Sequence, residues 1–424
     1  MKKTFLTTLL AFAGLSSYAQ TTVTDTVSMG ATAAGVSYPN QVWYSLENGV
    51  QGSRSRTDWD LAFDLKGFIS GVRINSTAGV QLWSYPKGNL TNSWASVDTA
   101  GLSTWTARNN SDTSWAEGAI GRYADPNNAY SLDWGTYNMT THIVTGDSIF
   151  IVKLASGQYK KFAIESLTSG VYSFKYANLD GTDAKSQTLT KTNYPDKNFA
   201  YLNLGNQTLL DREPAASKWD LVFTQYTTFI PIPYGVTGVL QNRNTAVAKV
   251  SNLPDVATNV DYSSRTFSTE INTIGYNWKS FTGSTYAVKD SQLYFLRRPN
   301  GDVWKLIFKG FGGAANGNFI FSKQKIYAAP SGIKGIAQSA ALAMTLAPNP
   351  AVSNTTLHCN FGAQSTTAQL LIFDVTGRSI FVQDLVRAAG EQQYPLPIAT
   401  LPKGQYVVMV HTTEGNAIQK LIVQ

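Results

Sequence analysis

The sequence predicts an all-β protein of several domains, and three observations carry that reading. Charged residues make up only 14% of the 424 positions, while Gly, Ser, Thr, Asn, Tyr and Trp are plentiful. Large apolar residues alternate with polar ones over short runs, and those runs end at Gly-containing turns. At about 150 residues per domain, the length suits roughly three domains.

The chain opens on a processing signal. Lys2 and Lys3 precede the apolar run Phe5 to Leu15, and Ser17 and Ala19 flank Tyr18 in the small-x-small pattern that a signal peptidase accepts. Residues 1–19 therefore read as a signal peptide, with Gln20 first in the mature chain. The run is too short to span a bilayer, so no transmembrane segment is expected after its removal. No Cys lies near the cleavage site, which excludes a lipoprotein anchor. The net charge of +7 falls to +5 without Lys2 and Lys3. It is spread along the chain with no basic run of the kind that tracks nucleic acid. Cys359 is the only cysteine, so no intrachain disulfide forms, and it reads as a small buried hydrophobe.

After a lead-in over residues 20–37, two stretches are nearly the same: Trp59-Asp60-Leu61-Ala62-Phe63 and Trp219-Asp220-Leu221-Val222-Phe223. Each is preceded by a strand-like run, Val42-Trp43-Tyr44-Ser45-Leu46 in one case and Phe199-Ala200-Tyr201-Leu202 in the other. Each is followed downstream by an aliphatic strand, a Gly turn (Ser156-Gly157; Asn300-Gly301), a returning strand with Lys161 or Lys305, and a closing aromatic strand. Asn300-Gly301 between strands predicts a type I′ hairpin turn. Four corresponding elements in one order predict two β-rich units, residues 38–184 and 185–328. A further alternating run is expected over Phe68 to Ser76.

The first unit is longer between its Trp strand and its hairpin. The extra length holds Trp94, Trp105, Trp115 and Trp134, which either stack on sugars, porphyrins or partner side chains, or plug the edges of a core.

The Trp-Asp-Leu-x-Phe strand, the Asn75 to Gly79 turn, the hairpin with its aromatic-Lys strand and the final aromatic strand together resemble the HmuY haemophore family of Bacteroidetes. The resemblance implies an HmuY-like all-β domain present twice, with haem as ligand at the bacterial surface. Haem needs axial ligands from His, Met, Cys or Tyr. In the two units the only His is His142, and Met139 lies three residues before it. His142 and Met139 are thus the axial-ligand candidates, facing a Tyr such as Tyr123, Tyr130 or Tyr137, or else ordinary loop residues. The second unit has neither His nor Met.

Enzyme chemistry has little to draw on. One imidazole outside the tail leaves no Ser-His-Asp or Cys-His set, and no His-Glu-x-x-His motif occurs. Asp58 with Asp60, and Asp180 with Asp183, are carboxylate pairs whose placement across a cleft is not readable from sequence. Asp180-Gly181-Thr182-Asp183 reads as a polar turn or as calcium oxygens. Asp60 and Asp220, recurring between apolar strand residues, are expected to accept hydrogen bonds from a neighbouring loop.

Residues 329–345 read as an Ala-rich linker and residues 346–424 as a small Ig-like β-sandwich. In that tail Pro348-Asn349-Pro350, Ile372-Phe373-Asp374-Val375-Thr376-Gly377-Arg378, Leu401-Pro402-Lys403-Gly404-Gln405-Tyr406 and Lys420-Leu421-Ile422-Val423 resemble the type A C-terminal sorting domain of the type IX secretion system, the Por secretion tail. His358 and His411 lie in its strands. The resemblance implies a secreted or outer-surface protein whose tail engages the type IX translocon. The expected activity is non-enzymatic binding of haem, free or from a host haemoprotein. The other reading is adhesion to glycan or protein through the aromatic loops.

Overall fold

A computed structural model of the chain describes residues 21–66, 71–329, 342–361, 368–374, 379–385, 390–412 and 415–424. The expected signal peptide, most of the linker and Phe68-Ile69-Ser70 lie outside them. The described residues fall into two compact bodies, divided between Ala329 and Pro330. Both are built of antiparallel sheets, as the alternating runs require.

Among the described residues, the first body holds two series of eleven strands. The first comprises β1 (Val23–Ser28), β2 (Asn40–Ser45), β3 (Gly49–Ser55), β4 (Leu61–Asp64), β5 (Val72–Ile74) and β6 (Gln81–Ser84). It continues with β7 (Gly135–Asn138), β8 (Ile143–Gly146), β9 (Phe150–Lys153), β10 (Tyr159–Thr168) and β11 (Val171–Asn178). The second comprises β12 (Lys185–Thr190), β13 (Phe199–Asn203), β14 (Thr208–Leu210), β15 (Leu221–Ile230), β16 (Ile232–Gln241) and β17 (Ala246–Val250). It ends with β18 (Lys279–Phe281), β19 (Tyr286–Val288), β20 (Leu293–Arg297), β21 (Val303–Phe311) and β22 (Asn318–Tyr327).

Strand pairing crosses the division at 184/185. The hairpin β2–β3 joins β15 and β16 in one four-stranded sheet, and the hairpin β13–β14 joins β4 and β5 in another. Likewise β1 pairs with β22, whereas β12 pairs with β11. The registers match: Leu61 lies opposite Leu202 and Phe63 opposite Ala200, as Leu221 lies opposite Tyr44 and Phe223 opposite Val42. Residues 21–55 therefore complete the core of the second series, and residues 185–210 complete the first. Over Arg56 to Asp60 the chain passes from the sheet of β3 into that of β4, so the strand after the N-terminal hairpin belongs to the neighbouring core.

Each core is a layer of inward-facing apolar strand residues. One gathers Leu61, Phe63, Phe150, Phe162, Phe174 and Leu202. The other gathers Tyr44, Leu221, Phe223, Tyr294, Trp304 and Phe321. β4 is covered by the long hairpin β10–β11 and its counterpart β15 by β21–β22, with aromatic rings meeting edge-on, as Phe63 meets Tyr172 at 5.2 Å and Phe223 meets Phe319 at 5.0 Å.

The Asn300-Gly301 hairpin differs from the type I′ expectation. Gly301 has φ of 86° and Asn300 is not among the positive-φ residues. The connection is longer than two residues: Gly301 N donates to Arg298 O and Arg298 N to Asp302 O, so one left-handed residue closes it. Gly157, with φ of 88°, closes the corresponding turn with the same pair of bonds, from Gly157 to Leu154 and from Leu154 to Gln158.

The second body is a two-sheet sandwich. One sheet pairs β23 (Leu342–Ala347), β24 (Thr356–Phe361) and β27 (Gly390–Pro395), and the other pairs β25 (Ala368–Asp374), β26 (Ser379–Asp384), β28 (Gly404–Thr412) and β29 (Gly415–Val423). Cys359 lies in its core, where burial pushes the thiol up to about 12. No helix among the described residues is long and apolar enough to cross a membrane.

Candidate functional site

Asp60 and Asp220 anchor the strand exchange. Asp60 Oδ2 accepts from Leu204 N at 2.7 Å and Asp220 Oδ2 from Leu46 N at 2.8 Å. Two asparagines repeat the same role: Asn75 Nδ2 donates to Arg56 O and Trp59 O, and Asn242 Nδ2 to Ala216 O and Trp219 O. Buried backbone groups at a junction must be paired, and an amide with two N–H donors does so compactly.

Arg212 sits where the two cores meet. Its guanidinium pairs with Asp58 at 3.0 Å, donates to Gln41 Oε1 at 3.0 Å, and lies 5.0 to 5.9 Å from the rings of Trp43, Trp59 and Tyr201. The aromatic faces and the carboxylate stabilise a buried cation. Asp58 and Asp60 are thus committed to different partners, Arg212 and the Leu204 N–H. Next in sequence, buried Glu213 accepts from the backbone N–H groups of Asn198 and Phe199 and from the Tyr201 hydroxyl. Its desolvation outweighs these bonds and pushes the carboxyl up to about 7.

A cleft of about 520 Å³ opens between the cores, lined among others by Lys66, Asp196, Ala216, Trp219, Arg243 and Arg298. Its cations are paired: Lys66 with Asp196 at 3.6 Å, Arg243 with Asp64 at 2.8 Å, and Arg298 with Asp220 at 2.8 Å. At the matching place in the other half Arg56 stands where Ala216 does here. It donates to the carbonyls of Thr77, Tyr38 and Ser37 at 2.8 to 3.3 Å.

Met139 and His142 lie in the turn of the β7–β8 hairpin. Met139 is 62% exposed. His142 has φ of 57° and its ring Nδ1 is 2.6 Å from the Tyr137 hydroxyl. With the Nδ1 proton donated to that oxygen, Nε2 carries a lone pair for a ligand. The two candidates share one turn, so both would approach an iron from the same side. Tyr123 and Tyr130 are exposed on loops, and the tyrosine that meets the His142 ring is Tyr137. Among the described residues no three His, Cys, Asp or Glu side chains gather as a metal cluster. The corresponding hairpin β18–β19 presents exposed Phe281 at its turn.

The four tryptophans of the longer loop turn inward. Trp134 is buried in the first core, Trp94 lies over Lys161 and Lys175, Trp105 packs on Tyr85, and Trp115 donates from Nε1 to Gln241 O at 2.8 Å across the junction. Lys161 donates to Trp94 O at 2.8 Å, and Lys305 uses its ammonium in the same way on Ala257 O. Asp180 Oδ1 accepts from Thr182 N and Oγ1 while Asp183 pairs with Lys160, which is the polar-turn reading of that segment.

Sequence reasoning missed Arg212, Glu213 and the cleft, because nothing local marks a junction built from strands about 170 residues apart. It also missed the exposed tip of the β15–β16 hairpin, although Phe229-Ile230-Pro231-Ile232-Pro233-Tyr234, apolar and proline-punctuated, is legible as an exposed turn.

Fold and site define a chain of two β bodies, a strand-exchanged pair of cores followed by a small sandwich. Residues 37–176 match the HmuY protein family, and residues 345–424 match the secretion system C-terminal sorting domain. The chain thus carries an HmuY domain and a type IX sorting domain, and the latter directs it to the outer surface or the extracellular space. A search of curated proteins returns no match. Among solved structures, dimeric latent PorU from Porphyromonas gingivalis is 10% identical with a TM-score of 0.17, covering 67% of this chain and 32% of that one. A polysaccharide lyase is 9% identical with a TM-score of 0.15, covering 93% and 47%. The chain spans about a third and about half of those two proteins.

Proposed function

We propose that this is a non-enzymatic binding protein delivered by the type IX system, with two HmuY-like units, that takes haem or a related tetrapyrrole at the Tyr137–Met139–His142 turn. The observation that carries the reading is the His142 ring, exposed and oriented through Nδ1 by the Tyr137 hydroxyl at 2.6 Å, inside the segment that matches HmuY. Bound haem would supply a Lewis-acidic iron that takes a neutral nitrogen or sulfur donor. Nε2 of His142, in the tautomer whose Nδ1–H donates to the Tyr137 hydroxyl, or the Met139 thioether would hold it, and Tyr137 fixes the ring's orientation. The units at 38–184 and 185–328 serve as scaffold, and the second carries no axial His or Met.

Hemin titration of the chain from Gln20 on tests this. A Soret band that disappears in Met139→Ala/His142→Ala is expected. No spectral change in either oxidation state would sink it.

The second reading, adhesion to glycan or protein, is favoured by exposed Tyr123 and Tyr130 on the loops around the β7 hairpin. A glycan array or pull-down in which Tyr123→Ala/Tyr130→Ala abolishes capture, with hemin silent, would put it first.

A further inference from the structure

Seven consecutive residues, Phe229 to Gly235, are exposed at the end of the β15–β16 hairpin. Four of them are large and apolar: Phe229 at 36% exposure, Ile230 at 48%, Ile232 at 69% and Tyr234 at 61%. No charged side chain occurs from Leu221 to Asn242. Soluble surfaces rarely carry such a cluster without a role.

The backbone of this tip is as unusual as its side chains. Cross-strand register continues to the end, with Thr228 opposite Tyr234, Phe229 opposite Pro233 and Ile230 opposite Ile232, leaving only Pro231 between the strands. Pro231 and Pro233 have no N–H. The tip therefore brings few unpaired backbone donors into an apolar medium, which is the main obstacle to placing non-helical chain in lipid. The same prolines work against addition of a partner strand to β16, an edge strand of its sheet.

Charge is placed to match. The Arg122 guanidinium lies 5.4 Å from the Phe229 ring centroid, at the base of the tip, with Nη1 donating to Asn110 O at 3.2 Å and Nε 4.0 Å from Glu117, while Asp112 at the same level is engaged by the Thr228 hydroxyl at 2.6 Å. An apolar tip with a cation behind it and a tyrosine on its flank fits a bilayer boundary, where phosphates lie above the acyl chains.

We propose that the β15–β16 tip inserts into the interfacial layer of a membrane with anionic headgroups, Phe229, Ile230, Ile232 and Tyr234 entering the acyl boundary and Arg122 meeting the headgroups. This attaches the first body to a lipid surface independently of the sorting domain and of any ligand at His142.

The test is co-sedimentation of the chain from Gln20 on, which keeps every described residue, with phosphatidylcholine–phosphatidylglycerol vesicles. Ile230→Ser/Ile232→Ser should weaken binding on the order of tenfold or more without changing the melting temperature, because both side chains are exposed. Arg122→Gln should weaken binding to the mixed vesicles and leave binding to phosphatidylcholine alone unchanged. A solvatochromic probe on Ile232→Cys, with Cys359 buried and unlabelled, should shift to the blue on adding vesicles. The proposal is overturned if the wild-type chain stays in the supernatant, or if the double variant sediments as well as wild type. It is equally overturned if the tip is needed to capture a protein while the probe ignores lipid.

Discussion

The carboxylate of Asp220 accepts a hydrogen bond from the backbone N–H of Leu46, a residue 174 positions earlier, while its other oxygen holds Arg298 at 2.8 Å. One buried acid thus ties the N-terminal hairpin to the second core. Asp220→Ala leaves the Leu46 N–H unpaired and Arg298 with only the longer contacts to Glu47 and Asp302 at 3.9 and 4.0 Å. A loss of about 3 kcal/mol is expected, with Asp220→Asn costing less. Urea unfolding reads this, and a loss under about 1 kcal/mol for the alanine variant would contradict the anchoring role.

The N-terminal segment should be indispensable to the distal core. Residues 21–55 bury Val27, Met29, Tyr38, Val42, Trp43 and Tyr44. At about 1.5–3 kcal/mol each, these amount to on the order of 10 kcal/mol, the whole stability of an ordinary domain. Deleting residues 21–55 should expose β15 to β22 to proteolysis while β4 to β14 stay protected. Hydrogen exchange distinguishes the two. Loss of the first core instead would mean that the strand exchange is wrong.

Glu213 sets a pH dependence. Burial raises its folded-state value to about 7 from 4.5, so between those limits the native state binds more protons than the unfolded chain. Its contribution is present below about 4.5 and is lost as pH rises through about 7, a change of about 3 kcal/mol at most. Denaturation series from pH 4.5 to 7.5 should show stability falling from this source, and Glu213→Gln should flatten the slope.

Arg212→Lys is not a conservative change. A lysine ammonium cannot span Asp58, Gln41 and Ser55 O together or lie flat against Trp43 and Tyr201. About 2–4 kcal/mol is expected, read as a shifted urea midpoint. A midpoint unchanged from wild type would show that the aromatic box contributes little.

Met139→Ala and His142→Ala should each cost below about 1 kcal/mol, since both side chains are exposed on a turn. A larger loss by thermal melting would assign His142 a structural role through Tyr137 and weaken the ligand reading.

Much of the architecture is legible in the sequence. Alternation of large apolar with small or polar residues pointed to strands around Trp43, Trp59, Phe162 and Phe223, and in the fold these strands are buried on both faces over much of their length. The structural role of Asp60 and Asp220 was legible from an acid recurring between apolar residues. The tail was legible piece by piece from Pro348 to Val423. The Trp94 to Trp134 loop was ambiguous, since an aromatic ring in a polar loop looks the same whether it covers a core or faces solvent.

By itself the sequence determined the β class, the paired Trp-Asp-Leu strands, the sorting tail and the scarcity of His and Met, all of which are properties of local pattern and composition. Only the tertiary structure decided which hairpin completes which core and that Arg212 and Glu213 are buried at the junction. Those outcomes depend on long-range strand pairing, where the registers of Leu61 with Leu202 and of Leu221 with Tyr44 join partners that look alike in sequence.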